Sequence, residues 1–166
     1  MKRSVGFIFL AIVSLFYFSS CEEKVNVEKE KEAIKNLFEQ EKTAFFNQDY
    51  VTMGGYYVND PSTVKMFIGE KGISRFDGWD KINTENQKET ADTTWDRGKV
   101  KASFLNYEIN VIDETAWVIC DTHWEGIFKG DTLKMDQFRI SVMEKVNNQW
   151  KFGFMAIYGI PDAQQK

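Results

Sequence analysis

Between Val27 and about Asn47 the apolar residues fall at Val27, Ile34, Leu37, Phe38, Ala44 and Phe45, separated by charged residues such as Glu28, Lys31, Lys35 and Glu41. That spacing follows the helical period and predicts a one-sided amphipathic helix. Asn47-Gln48-Asp49 marks its end, and a short helical segment around Tyr50 to Tyr57, interrupted by Gly54-Gly55, stops at Asn59-Asp60-Pro61. Thr63 to Ile68 is β-branched and apolar enough for a strand, Gly69 to Gly72 reads as a turn, and Trp79 to about Thr90 reads as a third helix.

After Thr93 the period changes to two. Stretches rich in Val, Ile, Phe, Trp and Tyr span Lys99 to Ile112, Thr115 to Phe128, Thr132 to Lys145 and Gln149 to Tyr158. They are divided by turn clusters at Asp113-Glu114, Lys129-Gly130-Asp131 and Asn147-Asn148, which predicts antiparallel strands joined by hairpins. Helices first and a long meander afterwards is the α+β pattern, with N-terminal helices packed on a strongly curved, mostly antiparallel sheet.

The N-terminus has a different texture. Lys2 and Arg3 precede a charge-free apolar stretch from Val5 to Phe18, and Ser19-Ser20 lead to Cys21. The stretch is about 14 residues long, short of the roughly 20 a membrane-spanning helix needs, and its layout is that of a secretory signal. Because the small residues are followed by cysteine, the segment resembles a bacterial lipoprotein signal peptide, with Phe18 where that motif usually has Leu. The resemblance implies that Cys21 receives a diacylglyceryl group and becomes the acylated first residue. Several acyl chains anchor stably where one myristoyl chain does not. Acidic residues after the cysteine, Glu22 and Glu23, resemble export signals to the outer membrane or surface of some Gram-negative bacteria. The expected organisation is a signal over residues 1–20, a lipidated tether over 21–27, one folded domain over 28–160 and a tail over 161–166.

Composition narrows the classes. A chain of 166 residues leaves room for one domain. With 43% hydrophobic residues and only 2 Pro it can build a packed core. Its formal charge of -4 argues against nucleic acid as a partner. Removing residues 1–20 takes away Lys2 and Arg3 and leaves -6. If Cys21 carries lipid, Cys120 has no partner within the chain, and its apolar alternating surroundings suit a buried small hydrophobe better than a nucleophile. No phosphate-binding loop or dinucleotide fingerprint occurs, so no nucleotide cofactor is expected.

The element order, together with Phe45-Phe46-Asn47-Gln48-Asp49, Gly78-Trp79-Asp80-Lys81-Ile82, Ala116-Trp117-Val118 and Arg139 followed by Val142 to Phe152, resembles the nuclear transport factor 2-like superfamily. That cone-shaped fold is shared with ketosteroid isomerase and SnoaL-like polyketide cyclases, and the resemblance covers about residues 28 to 160. It implies an apolar cavity open at the wide end of the cone. Relatives often carry a polar or histidine-bearing last strand; here Gly153 to Tyr158 keeps only Tyr158 as an ionisable group.

Candidate chemistry centres on one strand. Alternation places Asp121, His123 and Glu125 on one face and Cys120, Thr122 and Trp124 on the other. One reading makes Asp121 and His123 an acid/base pair. The other places them on the wet or dimer-facing side, opposite a core of Ala116, Val118, Cys120 and Trp124. One His and two carboxylates resemble an iron-binding triad in kind, yet all three crowd one strand edge, and no metal is expected. Arg139 sits mid-strand among apolar residues and must reach solvent or pair with a carboxylate or ligand anion. Tyr56, Tyr57, Trp79, Tyr107 and Tyr158 could line a pocket or simply pack the core.

These expectations describe a lipid-anchored envelope protein, on the outer membrane of a Gram-negative bacterium, whose domain binds a small apolar ligand or dimerises. The alternative is a cofactor-independent isomerase or cyclase using His123 and Asp121.

Overall fold

The computed structural model describes residues 26–70 and 72–160. The signal, Cys21 and the C-terminal tail lie outside the described residues. Three α-helices, α1 (Val27–Phe46), α2 (Tyr50–Gly55) and α3 (Trp79–Ala91), pack on one face of a six-stranded sheet. Its strands are β1 (Val64–Gly69), β2 (Gly72–Asp77), β3 (Val100–Ile112), β4 (Thr115–Phe128), β5 (Asp131–Val146) and β6 (Gln149–Gly159), in the order β2-β1-β6-β5-β4-β3. All pairings are antiparallel except β1 with β6. The architecture is the α+β arrangement of helices on a curled, mostly antiparallel sheet.

Local chemistry sets the boundaries. Asn26 caps α1 by accepting a hydrogen bond from Lys29 N at 3.2 Å, and Glu28 and Glu30 sit in the first turn, where the helix dipole favours negative charge. Asp49 caps α2 through Thr52 N and Oγ1. The hairpin turns use residues that tolerate positive φ: Asp113, Lys129-Gly130, and Asn147-Asn148.

One strand had no signal in the hydrophobic pattern. β2 pairs with β1 from Asp77 to Gly72, but it is an edge strand and almost wholly exposed, so no apolar alternation marks it.

The core lies between α1 and the inner face of the sheet. Ile34, Leu37, Phe38, Glu41 and Ala44 form the buried stripe of α1. Phe38 is at its centre, meeting Phe152, Phe104 and Tyr107 edge-to-face at 5.1, 5.4 and 5.6 Å between ring centroids. Gly126 lets β4 pass close to the start of β3: a Cβ there would lie 2.1 Å from Lys99 O, and φ is +141°. In β3 a bulge between Leu105 and Glu108 shifts the register, with Asn106 at φ +53°. Pairing of β4 with β5 runs unshifted from Thr115 to Phe128, so the alternation of β4 is unbroken.

Candidate functional site

The C-terminal half of α1, the end of α3, the loop carrying Trp95 and the inner faces of β1 and β3 to β6 enclose an open-ended cavity of about 270 Å³. Its walls are largely apolar: Phe45, Phe67, Trp95, Phe104, Trp124, Met155 and Ile157. Glu41, Lys42, Lys65, Glu89, Asp92, Thr122, Gln137 and Arg139 bring polar atoms to it. The volume sits near the lower end of small-molecule sites.

A buried ionic cluster forms on one side of this cavity. Arg139 points inward from β5 and is 4% exposed, and its Nη1 donates to Glu41 Oε2 at 3.3 Å. Tyr57 Oη, after α2, donates to Glu41 Oε1 at 2.9 Å. Burial, reinforced by the neighbouring Glu41 charge, pushes the Tyr57 phenol well above its usual range, which keeps it a donor. Burial alone would lower the Arg139 pKa, but Glu41, with Tyr57 and Cys120, outweighs it and the pKa is raised. The guanidinium carbon lies 4.6 Å from the Phe38 ring centroid, 4.8 Å from that of Phe152 and 5.5 Å from that of Phe104.

A second buried cation serves β1 and α3. Lys65 is 3% exposed and donates to Asn86 Oδ1 at 2.8 Å and Glu89 Oε2 at 2.9 Å. At the rim, Arg97 donates through Nη2 to Glu89 O and through Nη1 to Asp92 O, both at 2.6 Å, and so caps carbonyls at the C-terminal end of α3. Its guanidinium also lies 4.5 Å from the Trp95 ring and 5.2 Å from that of Phe45. This clamp fixes the Trp95 loop against α1. Trp124 Nε1 donates to Gln137 Oε1 at 2.9 Å, orienting the opposite wall.

Of the residues singled out from sequence, Arg139 lines the cavity. Tyr57 stands behind Glu41, its ring packed on Trp79 and Phe152 at 6.1 and 5.3 Å, so Tyr57 and Trp79 buttress the site from the core side. Tyr107 packs on Phe38 beside the cavity, and its buried hydroxyl has no hydrogen-bond partner among the described residues. Tyr158 requires a correction: it is paired with Phe138 on the outer face and is 39% exposed, because Ile157 takes the inward position on β6.

Asp121 and His123 also lie outside the cavity. With β4 unshifted, Cys120, Thr122 and Trp124 point inward and Asp121 and His123 point outward. The two do not pair with each other. His123 Nδ1 lies 2.5 Å from Asp136 Oδ1 on the adjacent strand, and Asp121 Oδ2 accepts from Asn106 Nδ2 at 2.7 Å. Cys120 is buried, and burial pushes its thiol up to about 11, which makes it a poor nucleophile. Among the described residues, no three His, Cys, Asp or Glu side chains group to hold a metal ion.

Glu41, Lys65 and Glu89 were not singled out by the pattern along the chain. A signal for Glu41 existed: it falls three residues after Phe38 and four after Leu37, on the apolar stripe of α1. Lys65 carried the equivalent signal on β1, where alternation puts it on one face with Thr63 and Phe67.

No protein-family model matches the chain, and no curated protein matches it. Solved structures do. A nuclear transport factor 2-like superfamily protein from Salmonella enterica aligns with TM-score 0.66 at 18% identity, covering 82% of this chain and 94% of its own. A protein of unknown function with a cystatin-like fold from Nostoc punctiforme aligns with TM-score 0.61 at 17% identity over 82% and 95%. A proposed dehydratase of the nuclear transport factor 2-like family from Streptomyces avermitilis aligns with TM-score 0.67 at 12% identity over 82% and 99%. At such identities the likeness is one of architecture. The chain has the nuclear transport factor 2-like, or cystatin-like, fold.

Proposed function

We propose that this domain is a binding module for a small, largely apolar molecule, held at a bacterial envelope membrane through a lipidated Cys21. The observation that carries the binding reading is the cavity: aromatic and aliphatic walls around a few fixed polar groups is the composition of a small-molecule site. Arg97, Trp124 and Gln137 hold its rim and wall by hydrogen bonds and ring contacts, so the site is largely formed before a ligand arrives. Attachment to the membrane rests on the signal-like segment and the position of Cys21. A Cys21→Ala chain should leave the membrane fraction and lack the mass of the lipid.

Self-association belongs to the same proposal. The outer face carries a run of apolar side chains, with Trp117 opposite Val142, Ile119 opposite Ile140 and Phe138 opposite Tyr158. Trp117, Ile140, Val142 and Tyr158 are each 39% exposed. A continuous apolar face of this kind suits a second copy in a twofold, self-complementary pairing.

The test of ligand binding is native mass spectrometry of the full-length chain from its own host, followed by extraction of bound material. A retained small molecule is the expected result. An empty chain whose stability is unmoved by added hydrophobic ligands defeats the binding reading.

A second reading, a cofactor-independent isomerase or dehydratase-type enzyme, is favoured by one observation: Glu41 sits at the cavity with Tyr57 Oη 2.9 Å away. Proton transfer would then fall to Glu41, although both of its oxygens are already engaged by Tyr57 and Arg139. Incubating the extracted ligand with the chain in heavy water separates the readings: deuterium uptake that Glu41→Gln abolishes identifies an enzyme.

A further inference from the structure

Arg139 holds more hydrogen-bonding capacity than the protein uses. A guanidinium carries five N–H donors across three nitrogens, and among the described residues only Nη1 of Arg139 makes a hydrogen bond, to Glu41. Nε and Nη2, which share one planar edge, are buried and have no hydrogen-bond partner among the described residues. Ring contacts from Phe38, Phe104 and Phe152 attract the charge, but they supply no acceptor oxygen to that edge. Leaving donors of a charged group unmade in the interior is costly.

The other cations at the cavity are differently placed. Lys65 is engaged by Glu89 and Asn86, and Lys42 by Glu39. Arg139 alone among them combines near-complete burial with two unbonded nitrogens among the described residues.

We propose that the molecule taken by this cavity is a monocarboxylate, whose carboxylate is received by the Nε–Nη2 edge of Arg139 while its apolar body rests against Phe45, Trp95 and Trp124. The proposal rests on the binding reading above. A planar carboxylate matches that edge with two parallel hydrogen bonds. Glu41 already supplies one negative charge beside Arg139, so one further charge spread over two oxygens is accommodated where a dianion would be repelled. A cationic head group would face Arg139 itself. Met155 lines the cavity with its sulfur 3.9 Å from Tyr57 Oη, and its unbranched side chain can repack around a bound molecule.

The experiment titrates the full-length chain calorimetrically with matched probes: hydrocinnamate, its amide and its alcohol, then octanoate against octanol. The carboxylates should bind at least about tenfold more tightly than their neutral partners, the range expected of charge-assisted hydrogen bonds. Arg139→Gln should erase that preference, so that carboxylate and alcohol bind it with affinities within about threefold of each other. Since Arg139→Gln also strands Glu41, Glu41→Gln serves as the second variant: it removes the competing charge, keeps Arg139, and should tighten carboxylate binding. Equal affinity for carboxylate and alcohol overturns the carboxylate assignment and leaves the binding reading standing. No heat and no shift in melting temperature with any probe overturns both.

Discussion

At the level of Arg139, the two faces of the β4–β5 ribbon each depart from the usual distribution of polarity, although Val118 and Cys120 still face inward and Asp121 and His123 still face outward. On the inner face, Arg139 from β5 is buried against Phe38 and Phe152 and pairs with Glu41, which α1 contributes from its apolar stripe. On the outer face of the same strands, Trp117, Ile140 and Val142 are each 39% exposed. A soluble sheet with one solvated side would show apolar inside and polar outside. Stability alone explains neither departure. Buried charge costs desolvation and is maintained only by close partners, and exposed apolar area gains by being covered.

Breaking the inner face should have the largest effect. Arg139→Met strands the Glu41 charge and should cost about 3–5 kcal/mol, read from the urea denaturation midpoint. Adding Glu41→Gln to Arg139→Met should restore most of that loss. A single-variant loss of about 1 kcal/mol or less would mean the pair behaves as a surface pair, and the contrast between the faces would fail.

The outer face is tested by Trp117→Glu. Sedimentation velocity should find the parent chain dimeric and the variant monomeric, with circular dichroism unchanged. The expected weakening is at least about 30-fold, equivalent to about 2 kcal/mol for an anchoring interface tryptophan. A parent chain that sediments as a monomer removes the outer face from the proposal.

A smaller effect is expected of His123→Ala or Asp136→Asn. This half-exposed pair should be worth about 1 kcal/mol or less, and neither change should alter ligand affinity, since both side chains lie across the sheet from the cavity. Lost ligand affinity in His123→Ala would return catalysis or binding to the outer face.

The mildest test concerns the seam that holds α1 to the β5–β6 hairpin. Glu30 accepts from Lys145 Nζ at 2.8 Å and from Trp150 Nε1 at 2.7 Å. The Lys145 hydrogen bond, against some desolvation and aided by Trp150, holds its pKa below the ordinary 4.5. A lowered folded-state pKa means the stabilisation is present above the unfolded value and is lost as pH falls through the folded one. Between about pH 5 and about pH 3 the parent chain should therefore lose more stability than Glu30→Gln. Parallel curves would remove Glu30 from the acid response.

Much of the architecture was legible because period carries element type. The amphipathic stripe of α1 and the alternation of β4 mark their elements directly, and Thr115 to Phe128 is bounded by turn residues that accept positive φ. β2 was not legible, since an exposed edge strand has no buried face to write a pattern. The cavity was only partly legible. Arg139 announced itself as a charge among apolar neighbours, but its partner Glu41 lies 98 residues away in sequence. Period-two alternation separated His123 from the inward residues of β4, and the apolar set Ala116, Val118, Cys120 and Trp124 marked the face the helices cover.

What the sequence determined by itself was local: helix and strand positions, the α+β class and the division of each strand into two faces, because 3.6- and two-residue periods follow from backbone geometry. The tertiary structure alone decided that Glu41 and Tyr57 meet Arg139 and that His123 joins Asp136 instead of Asp121. Those pairings join distant segments, and their geometry depends on how α1 lies across the curled sheet, a relation that no local period encodes.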